Sequence, residues 1–67
     1  MPAVSNIAAL DLVELTEPLD GLPAGARGGV LELADEDTAM VEITSLSLDA
    51  AERIVFVPLT KLHRVGK

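Results

Sequence analysis

Apolar and polar residues alternate along much of this chain, and glycines, prolines and acidic residues divide the alternation into short strand-like runs. Residues 11–16 are the first predicted strand, with Val13 and Leu15 on one face and Leu12, Glu14 and Thr16 on the other. Residues 17–23 hold two prolines and a glycine, which suit neither a helix nor a central strand. That segment is expected to be an irregular loop with Leu19 and Leu22 tucked beneath it. Residues 29–33 form the second predicted strand. Asp35, Glu36 and Asp37 follow as a turn, because short acidic side chains bond nearby backbone amides.

Residues 38–44 are the third predicted strand, with Val41 and Ile43 on one face and an alternation that continues through Leu46 and Leu48 on the other. A hairpin closes over residues 49–52. A short helix is the competing reading there, since Ser47 to Arg53 contains good helix formers. Residues 53–57 are the most β-prone run, being β-branched and aromatic throughout their apolar part. Pro58 ends that strand, having no N–H to give to a ladder. Residues 59–62 read as one helical turn and residues 63–65 as a short final strand.

The chain is organised around residues 22–33, where three glycines and a proline lead into the second strand. Gly25, Gly28 and Gly29 are expected to supply conformations or close approaches that a Cβ would block. The strand they introduce is where a small sheet bends over itself. Five short strands, a long first loop and a helical turn before the last strand predict an all-β fold. Its expected form is a small, strongly bent five-stranded barrel over residues 10–67. Residues 1–9 are read as a loose arm docking through Val4 and Ile7. The expected interior is Val13, Leu15, Val30, Ile43, Val55 and Val57, with the single aromatic residue, Phe56, also buried. Leu12, Leu31, Met40, Leu46, Leu48 and Ile54 then point outward or sit at the ends, and such a set marks an interaction surface.

Composition sharpens this picture. A core built from 67 residues rarely supplies more than roughly 3–5 kcal/mol of net stability. The usual staples are missing: there is no cysteine, and one histidine cannot build a zinc site alone. With 49% apolar residues, burial in a homo-oligomer or against a protein partner is the expected remedy. All eleven acids but only two of the five bases precede residue 61. The body is therefore strongly acidic, while Lys61, Arg64 and Lys67 make the tail basic. Such a field disfavours nucleic acid and anionic membranes and suits a basic protein partner. No basic-then-apolar leader and no long apolar stretch is present, so a cytoplasmic location without membrane contact is expected.

Candidate chemistry is thin. His63 is of the residue type most often used as a general base, but there is no cysteine for it to activate, and nothing orients Ser45 or Ser47 as a nucleophile. Asp35, Glu36 and Asp37 lack the alternate-ligand spacing and central glycine of a calcium loop. The glycines at residues 25–29 lead into a strand, not into the helix N-terminus and lysine that a phosphate cradle uses. No catalytic residue, cofactor, metal or small-molecule substrate is predicted.

The order Val13-x-Leu15, Leu22-x-x-Gly25-x-x-Gly28, an acidic turn, Val41-Glu42-Ile43 and a closing Leu62-x-x-Val65 resembles a family of small bacterial SH3-like barrels of unknown function. The resemblance runs from about Leu10 to Val65. It departs from the family pattern at residues 45–52, where a glycine-bearing turn is absent. It implies a five-stranded SH3-like barrel and no catalytic residues. Residues 25–30 are also similar to the start of KOW-type motifs, which bind RNA or protein through basic and aromatic surfaces. The functional expectation is a non-enzymatic module that assembles with itself or binds a basic partner, in the manner of the inhibitory half of an operon-encoded pair. The alternative is a nucleic-acid-associated module using the basic tail.

Overall fold

Five strands hydrogen-bond into one antiparallel sheet: β1 (Leu12–Leu15), β2 (Arg27–Asp35), β3 (Thr38–Ile43), β4 (Ile54–Pro58) and β5 (Leu62–Gly66). The structure is a computed structural model that describes residues 7–66. The strand order is β4-β3-β2-β1-β5, so β1 to β4 form a meander and β5 returns to the far side of β1. The ladder is open, with β4 and β5 as its two edges. Val4 and Lys67 lie outside the described residues.

Parity along the strands places the core. Val13, Leu15, Val30, Val41, Ile43 and Val57 are buried, as the alternation requires, and Ala26, Ala39, Leu22, Leu62 and Ile7 join them. Val55 is only half-buried at the margin of this cluster, while Val57 on the same edge strand is fully buried. Fully burying a valine or leucine side chain contributes about 1.5–3 kcal/mol. A core of so few such residues leaves little surplus over chain entropy.

The glycines divide into two kinds. Gly25 has φ 89° and occupies the third position of a turn closed by the Ala26 N–H donating to the Pro23 carbonyl at 3.2 Å, the type II position that favours glycine. Gly28 stands in the inner row between Val13 and Ile43. A Cβ there would run into the Glu42 carbonyl oxygen and lie 2.9 Å from the Ile43 Cα. Gly29 is a correction: among the described residues no atom beyond its two chain neighbours lies within 4 Å of the place its Cβ would take, and its φ is not positive. Nothing in the fold demands glycine at that position.

Strand β2 is longer than its apolar pattern suggested, and it is bent by two irregularities. Its register against β3 slips between Val30 and Glu32 and again between Leu33 and Asp35, leaving Leu31 and Ala34 as the extra residues. Bulges of this kind bend a strand and raise its local twist. Beyond Val30 the strand is exposed on both sides and ends in the predicted acidic turn, where the Asp37 N–H donates to Asp35 Oδ1 at 2.8 Å.

Three further expectations need correction. The loop at residues 17–23 is not wholly irregular: Leu19 and Leu22 exchange backbone hydrogen bonds of 2.8 and 3.0 Å around Asp20 and Gly21, both at positive φ. An Asp-Gly pair is the usual carrier of such a two-residue turn. Strand β3 stops at Ile43, and the alternation does not continue through Leu46 and Leu48. The connection to β4 instead carries one helical turn, α1 (Ala50–Arg53), where a plain hairpin was favoured. Pro58 is the last residue of β4, and a 3-10 turn (Leu59–Lys61) leads from it into β5.

Asp11 anchors the arm. It is 4% exposed, accepts a hydrogen bond from the Ala8 N–H at 2.9 Å and lies 3.4 Å from Arg64 Nε. Its own carbonyl accepts from Val30, so the arm, β2 and β5 meet at this residue.

The two neighbouring glycines give a sharp stability test. Gly28→Ala is expected to lower the unfolding free energy by more than about 2 kcal/mol through the backbone clash. Gly29→Ala is expected to be neutral or stabilising by up to about 1 kcal/mol, since alanine in a strand loses less chain entropy. Urea titrations of the two variants measure both; equal losses would contradict the assignment.

Candidate functional site

The outer face of the sheet follows from the same register. Leu12 lies opposite Gly29, Gly29 opposite Glu42, and Glu42 opposite Ile54, so these residues form one outward row. A second row runs from Glu32 through Met40 to Phe56. Leu12 is 47% exposed, Ile54 44% and Phe56 58%, while Met40 is half-buried between its neighbours. The bare Cα of Gly29 makes a notch between Leu12 and Glu42: among the described residues no atom beyond its chain neighbours lies within 4 Å of the place a Cβ would take.

The six predicted interaction residues therefore do not form one patch. Leu12, Met40 and Ile54 share the outer face. Leu31 is exposed at the first bulge of β2, and Leu46 is exposed in the loop before α1. Leu48 is a correction: it is half-buried and packs against the core. Phe56 is a second one, since it was expected inside and is among the most exposed apolar side chains. The expectation let the chemistry of an aromatic ring override the parity that sends residues 55 and 57 inward. Leu10, Leu33 and Val65 are further exposed apolar residues that the sequence reading did not single out.

The bases are largely engaged. Arg27 lies 4.0 Å from Glu14, Arg53 3.6 Å from Glu42, Lys61 3.9 Å from Glu17, and Arg64 3.4 Å from Asp11. The three pairs between exposed partners are each worth roughly 0.2–1 kcal/mol. Their larger effect is on the field. Lys61 and Arg64 are no longer a free basic tail, and the remaining acids, including Glu32, Asp35, Glu36 and Asp37, keep the surface negative.

A shallow groove of about 510 Å³ opens between β1, the turn before β2 and β5, lined by Glu14, Leu15, Thr16, Ala24, Gly25 and His63. His63 is exposed there, beside Glu14 on the neighbouring strand. Ser45 is occupied as an acceptor, its Oγ receiving the Arg27 N–H at 2.9 Å. Among the described residues no group of three or more histidine and carboxylate side chains is arranged to hold a metal, and no helix is long and apolar enough to cross a membrane. Comparison with protein-family models, with curated proteins and with solved structures found no match.

The two outlying leucines separate surface from support. Leu48→Asp is expected to cost about 1–3 kcal/mol, because it places a charge against the core. Leu46→Asp, on an open loop, is expected to stay within about 0.5 kcal/mol of the parent. Thermal and urea unfolding of the pair decides, and a large loss in Leu46→Asp would place that side chain in the core.

Proposed function

We propose that this chain is an SH3-like small barrel acting as a non-enzymatic protein-interaction module of the bacterial cytoplasm, one that assembles with itself or holds a basic protein partner. The observation that carries this reading is the exposed apolar set on the outer face, led by Leu12, Ile54 and Phe56. A chain this small has few apolar residues to spare, and contiguous outward ones mark an interaction surface. The meander of four strands, the return of β5 to β1 and the 3-10 turn before β5 support the SH3-like architecture. The acids without an opposing base support a cationic partner, of the kind met in an inhibitory or stabilising pair encoded side by side.

A nucleic-acid role is disfavoured by the same charges. Phe56 offers one exposed ring, but single-strand binding uses aromatic platforms set in a positive groove, and two of the tail bases are already paired with carboxylates.

A co-expression pull-down with the product of the neighbouring reading frame, read together with light scattering of the chain alone, tests the proposal. Capture that weakens as salt rises, or self-association at low micromolar concentration, is expected, with Leu12→Asp or Ile54→Asp reducing it. A strictly monomeric chain that captures nothing overturns it, and retention on nucleic acid at low salt points to the alternative.

A further inference from the structure

The outer face does not by itself say what covers it, but the free edge of β4 does. The Leu59 N–H donates to the Asp37 carbonyl at 2.8 Å, which brackets Thr38 and Pro58 as a pair that exchanges no hydrogen bonds. Pairs alternate along an antiparallel ladder. Ala39 with Val57 and Val41 with Val55 are therefore the hydrogen-bonded pairs. Val55 and Val57 spend their backbone groups on β3, while Ile54, Phe56 and Pro58 turn theirs to the open side. Pro58 loses nothing there, because its missing N–H would have faced away from the sheet.

The two edges of the sheet are not alike. Strand β5 carries His63 and Arg64 and has an irregular register against β1 beside Val65, devices that discourage pairing. Strand β4 is uncharged from Ile54 to Val57, and only Pro58 blunts it. Among the described residues nothing pairs with its outer edge.

We propose that β4 pairs with β4 of a second copy, antiparallel, about a two-fold axis at Val55. This rests on the interaction-module reading and names its surface and partner. In that register Ile54 faces the partner's Phe56, and each exchanges N–H and carbonyl bonds with the other, so every backbone group those residues turn outward is satisfied. A shift to centre the pairing on Phe56 would set Ile54 against the partner's Pro58 and lose a donor. On the outer face the same register stacks Ile54 on the partner's Phe56 twice, an aromatic to β-branched cross-strand pair. It also lays the Arg53 end of one strand beside the Pro58 end of the other, from which the acidic turn of Asp35 and Asp37 hangs. Arg53, 40% exposed beside Glu42, is brought by that register to the end of the partner strand that carries the turn.

Since the chain has no cysteine, crosslinking reads the register directly. A non-hydrogen-bonded antiparallel pair sets Cα atoms about 4.5 Å apart, within disulfide range. Val55→Cys is expected to form a covalent dimer under mild oxidation, and His63→Cys on the other edge is expected to stay monomeric. Phe56→Lys, checked for an intact sheet by circular dichroism, is expected to weaken dimerisation at least tenfold by light scattering. A dimer that crosslinks through His63→Cys, or one untouched by Phe56→Lys, overturns the β4 pairing while leaving self-assembly standing. A chain that is monomeric at every concentration also overturns it, and capture of a basic partner by that monomer would leave the broader functional reading intact.

Discussion

The structure depends on one close approach, that of the Gly28 backbone to the Glu42 carbonyl on the neighbouring strand. In a flat ladder a Cβ stands clear of the sheet plane and does not meet the partner strand's carbonyl. At Gly28 it would point straight into it, so the backbone is strongly coiled at that place. Val13 and Ile43 flank the glycine in the inner row, where the approach of the strands leaves no room for a side chain between them. The bulges at Leu31 and Ala34 then carry the bend along β2. The core lies against the inner face of this single bent sheet, with the N-terminal arm and the loop at residues 17–23 adding Ile7 and Leu22 to it.

That economy has a cost at the margins. The inner row is saturated with β-branched residues, but β4 lies at the edge, and Val55 is only half-covered there. The N-terminal arm makes up part of the deficit by burying Ile7 and locking Asp11 against Ala8 and Arg64. A buried carboxylate is tolerated because it is both hydrogen-bonded and paired. The arm, read from sequence as loose, is thus part of the fold from Ile7 onward.

Much of this was legible in the alternation, and the failures are instructive. Parity placed Val13, Leu15, Val30, Ile43 and Val57 inside, because one slip in register would have turned every one of them to solvent. The same parity put Phe56 outside, and only a preference for burying aromatic rings hid it. The Asp20-Gly21 turn was visible as a dipeptide but was outweighed by the two prolines beside it. The bulges were not legible, since a slip between strands is a property of the pair and leaves no mark on either sequence. The Asp11–Arg64 contact was hidden for a related reason: it joins residues from opposite ends of the chain.

Gly29 and the charges show how the two faces of the sheet are divided. Gly28 and Gly29 are adjacent, yet the first faces the core with no room for a methyl group and the second faces outward with open space above it. A glycine that the fold does not require weakens a strand. The pairing of Arg27, Arg53, Lys61 and Arg64 with acids spread over the sheet and its loops has a parallel effect. It compensates Glu14 and Glu42 on the sheet and leaves the acid excess at Glu32 and Asp35 on β2, at Asp20, Glu36, Asp37 and Asp49 on turns and loops, and at Glu52 in α1. Charge of one sign keeps copies apart at long range, but at physiological ionic strength it is screened beyond roughly 8 Å. Glu32 apart, the middle of the sheet is left comparatively free of uncompensated charge, so short-range apolar and main-chain groups dominate its surface.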